Sequence, residues 1–214
     1  MYHMVHRSGM MGHVERGTND AKVRLLDAVV ERLTEHGLGD DSLRTLAAAV
    51  GTSHRMLIYH FGSKQGLLIE VVRVVEQRQR AALAELEGEL EADPALSPGD
   101  LARTFWRRLA DPALWPAERL FFELYGQALQ GREGTTPFLD GIVEDWLAPL
   151  ERSIQRLGSA PGVARADARL GLAVTRGLLL DLLATGDRQG VDEAMERFVV
   201  AYEATRAPSQ QGDQ

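Results

Sequence analysis

The segment Ser42–Leu68, SLRTLAAAVGTSHRMLIYHFGSKQGLL, leaves this chain little freedom of fold: it encodes two short amphipathic helices, a tight turn between them and the start of a longer helix. Leu43, Leu46, Ala47 and Val50 follow the i, i+3, i+4, i+7 spacing that gathers apolar side chains on one helix face. Ser42 supplies an N-cap oxygen ahead of them. Gly51 follows the last periodic residue, where glycine takes a left-handed backbone most easily, and Thr52 or Ser53 can cap the next helix. On that second helix Leu57 and Phe61 are four apart and face a core. Ser53, His54, Arg55, Met56, Tyr59 and His60 are left for its outer face and N-terminal end, and these are residue types that read a DNA groove.

Roles within this head follow from position. Arg44, in the first turn of the supporting helix, and Lys64, just past the second helix, are placed for phosphate contacts that position without reading sequence. Thr52 and Ser53 bring hydroxyls and helix N-terminal amides to the backbone, and Ser42, at the start of the supporting helix, is counted with them. Arg55, His54, Met56 and Tyr59 are the candidates for base edges, with arginine suited to guanine and methionine to a thymine methyl. His60 is placed either there or at a phosphate.

The run from Leu57 through Ile58, Tyr59, His60, Phe61, Gly62, Ser63, Lys64, Gln65 and Gly66 to Leu67 and Leu68 is similar to the DNA-binding domain of the tetracycline-repressor (TetR) family of bacterial regulators. There, roughly Leu-Tyr-x-His-Phe is followed by a short break, Ser-Lys and a pair of leucines. The preceding helix shares the resemblance: Asp20 or Asn19 as cap, Val23, Leu26, Val30 and Leu33 on one stripe, and Gly37 as the stop, so that the likeness covers about residues 19–80. Two positions depart from it. Ile58 stands where the family usually carries a phosphate-contacting tyrosine, and Arg55 with Met56 replaces a commoner small or Gly/Pro residue followed by Thr or Ser. The resemblance implies an all-α homodimer with an N-terminal three-helix helix-turn-helix DNA-binding domain and a C-terminal helical ligand-binding and dimerisation domain. It further implies a cytoplasmic repressor, released from palindromic operator double-stranded DNA by a small apolar or amphipathic effector.

Length and charge agree with two units. The expected division of the 214 residues is a disordered arm at 1–18, a head at 19–63, a body at 64–206 and a polar tail at 207–214. The net charge of −7 is unevenly spread: residues 1–80 hold 11 Lys/Arg against 9 Asp/Glu, and residues 81–214 hold 13 against 22. A weakly basic head can still bind DNA, because phosphate affinity depends on where the cations sit. With no cysteine there is no disulfide framework and no thiolate metal site. No metal-binding His pair on a helix, phosphate-cradling loop or nucleophile elbow appears, so no catalytic residue, metal or cofactor is expected. Glu123, Glu144 and Asp145 are read as solvated or ion-paired helix residues. His3, His6 and His13 are read as part of a flexible arm rather than as a metal site.

Behind the head, residues 64–90 lack a strong breaker and read as one long connecting helix. A loop at Asp93–Gly99 leads to helices at about Pro98–Leu109, Trp115–Leu129 and Thr136–Leu157, the last expected to kink near Asp145–Pro149. Phe105, Trp106 and Leu109, then Phe121, Phe122 and Tyr125, then Trp146 and Leu150 fall on these successive helices. Their convergence lines an effector pocket with aromatic walls or fills a core. The stretch Arg169–Thr185 is apolar nearly all round and must be covered on most sides, and it is too short and too charged to span a membrane. With the helix Val191–Arg206 it is expected to form a dimer interface through Arg169, Ala173, Arg176, Gly177, Leu180, Phe198 and Tyr202. The competing class is a helical enzyme or carrier with a vestigial head.

Overall fold

The computed structural model describes residues 8–36, 41–93 and 95–206, and over these the chain is all-α, with nine α-helices and no strand. The head is α1 (Ser8–His36), α2 (Leu43–Ala49) and α3 (His54–Phe61). The connector α4 (Lys64–Ala92) leads into α5 (Pro98–Leu109), α6 (Trp115–Leu129), α7 (Glu144–Arg156), α8 (Pro161–Thr185) and α9 (Arg188–Arg206). Short 3-10 turns at Pro112–Leu114 and Thr136–Leu139 precede α6 and α7.

Local chemistry sets the boundaries in the head. The Ser42 hydroxyl accepts the Thr45 N–H at 3.2 Å, Ser53 accepts that of Met56 at 3.2 Å, and Ser63 that of Gly66 at 2.9 Å, so three successive helices start on serine caps. Between α2 and α3 the chain turns through Gly51 at φ 68°, a conformation that costs a β-carbon-bearing residue far more. α1 differs from expectation. It begins at Ser8, so Asn19 and Asp20 lie inside the helix instead of capping it, and helix extends through much of the stretch read as a disordered arm. Residues 1–7, His3 and His6 among them, the His13 side chain, Gly37 and the tail from 207 lie outside the described residues.

One apolar cluster runs without a break from head to body. It begins with Val29, Val30, Leu46, Leu57 and Phe61, passes along α4 through Leu67, Val71 and Val72, and continues into Leu120, Phe121 and Leu124 of α6. Head and body therefore share a core across the expected boundary at residue 63. Two further clusters build the rest: Trp106, Leu179, Leu182, Met195 and Val199 between α5, α8 and α9, and Leu83, Trp146, Leu147 and Leu172 between α4, α7 and α8.

Polar seams fix how these layers meet. Arg103 of α5 forms a two-pronged ion pair with Glu196 of α9 at 2.7 and 2.8 Å, the Trp106 indole N–H donates to Asp192 at 2.6 Å, and Arg188 donates to the Ala110 carbonyl at 2.9 Å. The planar guanidinium suits such paired contacts. The single helix expected over Thr136–Leu157 is split. Gly141 at φ 78° interrupts the helical path between the 3-10 turn and α7, and Pro149 lies inside α7. No helix among the described residues is long and apolar enough to cross a membrane.

Candidate functional site

The outer surface of the head is built by what α3 buries. Leu57 and Phe61 are drawn into the core, so the helical period leaves His54, Arg55, Met56, Ile58 and Tyr59 exposed. Tyr59 stands out furthest, at 68% exposure. Its ring meets that of His60 edge-on at 4.9 Å, while the His60 Nε2 is buried without a protein partner. Arg44 on α2 is exposed beside this face, and neither it nor Arg55 is ion-paired among the described residues. A row of exposed hydroxyl, imidazole, guanidinium and phenol groups on a short helix, with free cations alongside, has the composition of a groove-reading surface.

Lys64 is differently placed from Arg44. Its ammonium donates to the Asp41 carbonyl at 2.6 Å and is half-buried, tying the start of α4 to the loop before α2. Asp41 in turn pairs with Arg32 at 3.2 Å. Lys64 thus has a structural task in addition to any phosphate contact.

The body encloses a cavity of about 310 Å³ among α4, α5, α6, α7, α8 and α9. Of the residues expected to line a pocket, Phe105, Trp106 and Leu109, Phe121 and Phe122, and Trp146 and Leu150 all border it. Tyr125 does not: it stacks on Phe121 at 5.7 Å, behind the wall. Arg176, Phe198 and Tyr202, read from sequence as dimer residues, also border the cavity, with Arg176 lying over the Phe121 ring at 5.1 Å and donating to the Ile142 carbonyl at 2.7 Å. The other four, Arg169, Ala173, Gly177 and Leu180, are on the exposed face of α8.

Two buried carboxyls in this wall went unread in the sequence. Glu76 of α4 accepts the Trp146 indole N–H and faces Arg176 and Arg80, each at 3.9 Å. Burial raises its pKa, and the Trp146 hydrogen bond and the two arginines oppose that rise. Glu118 of α6 is 4% exposed, and its carboxyl has no hydrogen bond or ion pair among the described residues. Burial, reinforced by the nearby Glu76 charge and opposed by Arg176, pushes it up to about 8. The signal was present: Glu76 falls on the stripe Val72, Val75, Gln79 and Leu83, and Glu118 lies three residues before Phe121. Each is a carboxyl at an otherwise inward position. By contrast Glu123, Glu144 and Asp145 are exposed, Glu144 pairing with Arg165 at 2.6 Å.

On α8 an exposed row of Val163, Ala166, Leu170, Ala173, Gly177, Leu180 and Ala184 repeats at three- and four-residue steps, with Val200, Ala201 and Ala204 exposed on α9. Leu180 is 50% exposed in the isolated chain. Such a continuous apolar seam, narrow and rich in small residues, is the kind that a second helical pair covers.

Comparison with known proteins bears on the head first: residues 25–71 match the model of the bacterial regulatory proteins of the tetR family. The HTH-type transcriptional regulatory protein RaaS of Mycobacterium tuberculosis is 31% identical over 114 residues, covering 44% of this chain and 53% of that protein. The chain thus matches about half the length of this curated relative. Among solved structures, a transcriptional regulator from Rhodococcus sp. RHA1 is similar with a TM-score of 0.67 at 18% identity, covering 86% of this chain and 96% of the other. A TetR-family regulator from Mesorhizobium loti is similar with a TM-score of 0.62 at 17% identity, covering 88% and 97%. At these identities the likeness is one of fold, and it extends over head and body alike.

Proposed function

The chain belongs to the TetR family of bacterial transcriptional regulators, and from that premise we propose that it is a dimeric repressor whose operator DNA is released when an apolar or amphipathic small molecule fills the body cavity. The family is one of regulators and not of enzymes, which sets aside a catalytic role for the cavity. The observation that carries the reading is the path of α4. Its first turn packs against the DNA-facing head through Leu67 and Leu68, and farther along Glu76, Leu83, Glu87 and Leu90 form one wall of the cavity. A rigid helix shared by both sites is a two-ended element whose position both occupants can bias.

In this reading α3 enters the major groove, with Arg55, His54, Met56 and Tyr59 toward base edges and Arg44, Thr52 and Ser53 toward phosphates. The exposed seam of α8 and α9 pairs with its copy across a two-fold axis, which sets two α3 helices against two halves of a palindrome. Such a protein works in the cytoplasm, where its DNA is. The test starts from the DNA flanking its own gene, searched for an inverted repeat and titrated by fluorescence anisotropy with repeat and scrambled duplexes. Equal affinity for both duplexes overturns sequence-specific recognition, and a reporter driven by the repeat distinguishes repression from activation.

A further inference from the structure

The polar end of the cavity is unequal in sign. The inward-facing cation there, the half-buried Arg176, is already committed: it donates to the Ile142 carbonyl, faces Glu76 and lies over the Phe121 and Tyr125 rings. Glu76 is likewise engaged by Trp146, Arg80 and Arg176. Among the described residues, Glu118 alone borders the cavity as a buried carboxyl with no hydrogen bond or ion pair. A carboxyl set in an apolar wall with no protein partner is placed to pair with a polar or charged group of a molecule in the cavity. The rest of the wall is apolar, and the rings of Phe105 and Trp106 stand in it beside those of Phe121 and Trp146, which already meet Arg176 and Arg80; ring faces of this kind attract cations. The far rim repeats the sign: Glu87, Glu91 and Asp167 are opposed there by Arg156, which pairs with both glutamates at 3.3 Å.

We infer that the effector is a lipophilic cation, an amine or quaternary ammonium compound whose charge is met by the Glu118 carboxyl while its apolar body lies among the aromatic rings. This rests on the reading of the cavity as the effector site. The charged groups around Glu118 are Glu76 from α4 and Arg176 from α8, and Glu76 in turn feels Arg80 and Asp145. Because burial pushes Glu118 up to about 8, it is mostly protonated at neutral pH. Binding a permanent cation then expels the carboxyl proton to solvent, leaving carboxylate against ammonium. Affinity for the cation therefore rises with pH up to about 8 and levels off above it.

The experiment titrates the full chain with decyltrimethylammonium, decan-1-ol and decyl sulfonate, all below micelle-forming concentrations, following the fluorescence of Trp106 and Trp146 and the heat of binding. The ammonium compound should bind about tenfold more tightly than the alcohol, and Glu118→Gln should remove that advantage while leaving alcohol binding within about twofold. If Glu118→Gln does not fold, the wild-type protein still decides. The ammonium affinity must climb with pH, with proton release measured in buffers of different ionisation heat, while the alcohol affinity stays flat. Equal binding of ammonium and alcohol, or tightest binding of the sulfonate, overturns the cation and leaves the effector cavity standing. No binding of any of the three overturns the cavity reading as well.

Discussion

Trp146 donates its indole N–H to the Glu76 carboxylate, and this buried bond joins α7 to the middle of the α4 connector across the cavity wall. The Arg80 guanidinium lies over the same indole at 5.7 Å, so one side chain of α7 holds two of α4. Trp146→Phe keeps the ring and deletes the donor. It should cost about 2 kcal/mol, or roughly 4–8 °C in melting temperature at fixed protein concentration, because a hydrogen bond to a buried carboxyl is lost without a substitute. A melting curve coincident with wild type would show that Glu76 is held by its arginines alone.

Glu118 makes stability fall as pH rises. Its carboxyl titrates at about 8 in the folded chain against 4.5 for the ordinary group, so the folded state holds a proton that the unfolded state gives up between those values. The stability it contributes is complete below pH 4.5 and is lost progressively up to about pH 8. Glu118→Gln does not titrate. Relative to wild type it should gain on the order of 3–5 kcal/mol between those limits. The check is the difference between the two melting temperatures across the pH series, in which the titration of all other groups cancels; a constant difference would place the Glu118 carboxyl in water.

The legible parts of this chain are those decided by neighbours in sequence. Ser42, Ser53 and Ser63 cap helices through contacts three residues away, and Leu57 and Phe61 face the core by helical period, so the head and its exposed residues could be read directly. The body was readable as helices and as a set of inward apolar residues, of which five rings and two leucines border the cavity. What failed needed tertiary knowledge. α8 is apolar nearly all round, and periodicity could not say which of its faces meets the other helices and which is bare, so it did not show that Arg176, or Phe198 and Tyr202 on α9, border the cavity. Glu76 and Glu118 fall on inward helical stripes, but that they face one cavity depends on helices distant in sequence. The break before α7 hinges on the backbone angle of Gly141, which composition does not announce.

Gly177 lies in the middle of the bare seam of α8, and a β-carbon added there meets no other atom of the protomer within 4 Å. Gly177→Arg should therefore leave the protomer fold intact and obstruct only a second copy, through bulk and a charge that the interface would have to desolvate. Sedimentation should show wild-type dimer and variant monomer. The wild-type melting temperature should rise with protein concentration while that of the variant does not, since association stabilises by mass action. A wild-type chain that sediments as a monomer at micromolar concentration removes the basis for two-fold operator recognition.

Arg55 and Lys64 divide the work of the head between reading and holding. Arg55 sits in the first turn of α3, exposed and unpaired, where a recognition helix points side chains into the major groove. Arg55→Ala should cost about 1–3 kcal/mol per half-site and relax preference at one base pair, with little change in melting temperature. Lys64 is anchored on the Asp41 carbonyl, so its loss releases a half-buried contact between α4 and the approach to α2. Lys64→Ala should weaken binding to all duplexes alike, lower the salt slope by about one per subunit if its ammonium also reaches a phosphate, and lower head stability in either case. Arg44, with no such internal bond, supplies the cleaner measure of a phosphate contact: Arg44→Ala should lower the salt slope and leave the melting temperature unchanged. Titrations of the three variants against the operator and its single-base mutants, at two salt concentrations, separate these roles. If Arg55→Ala weakens every duplex equally and Lys64→Ala changes base preference, α3 meets the groove by a face other than the one that Leu57 and Phe61 leave exposed.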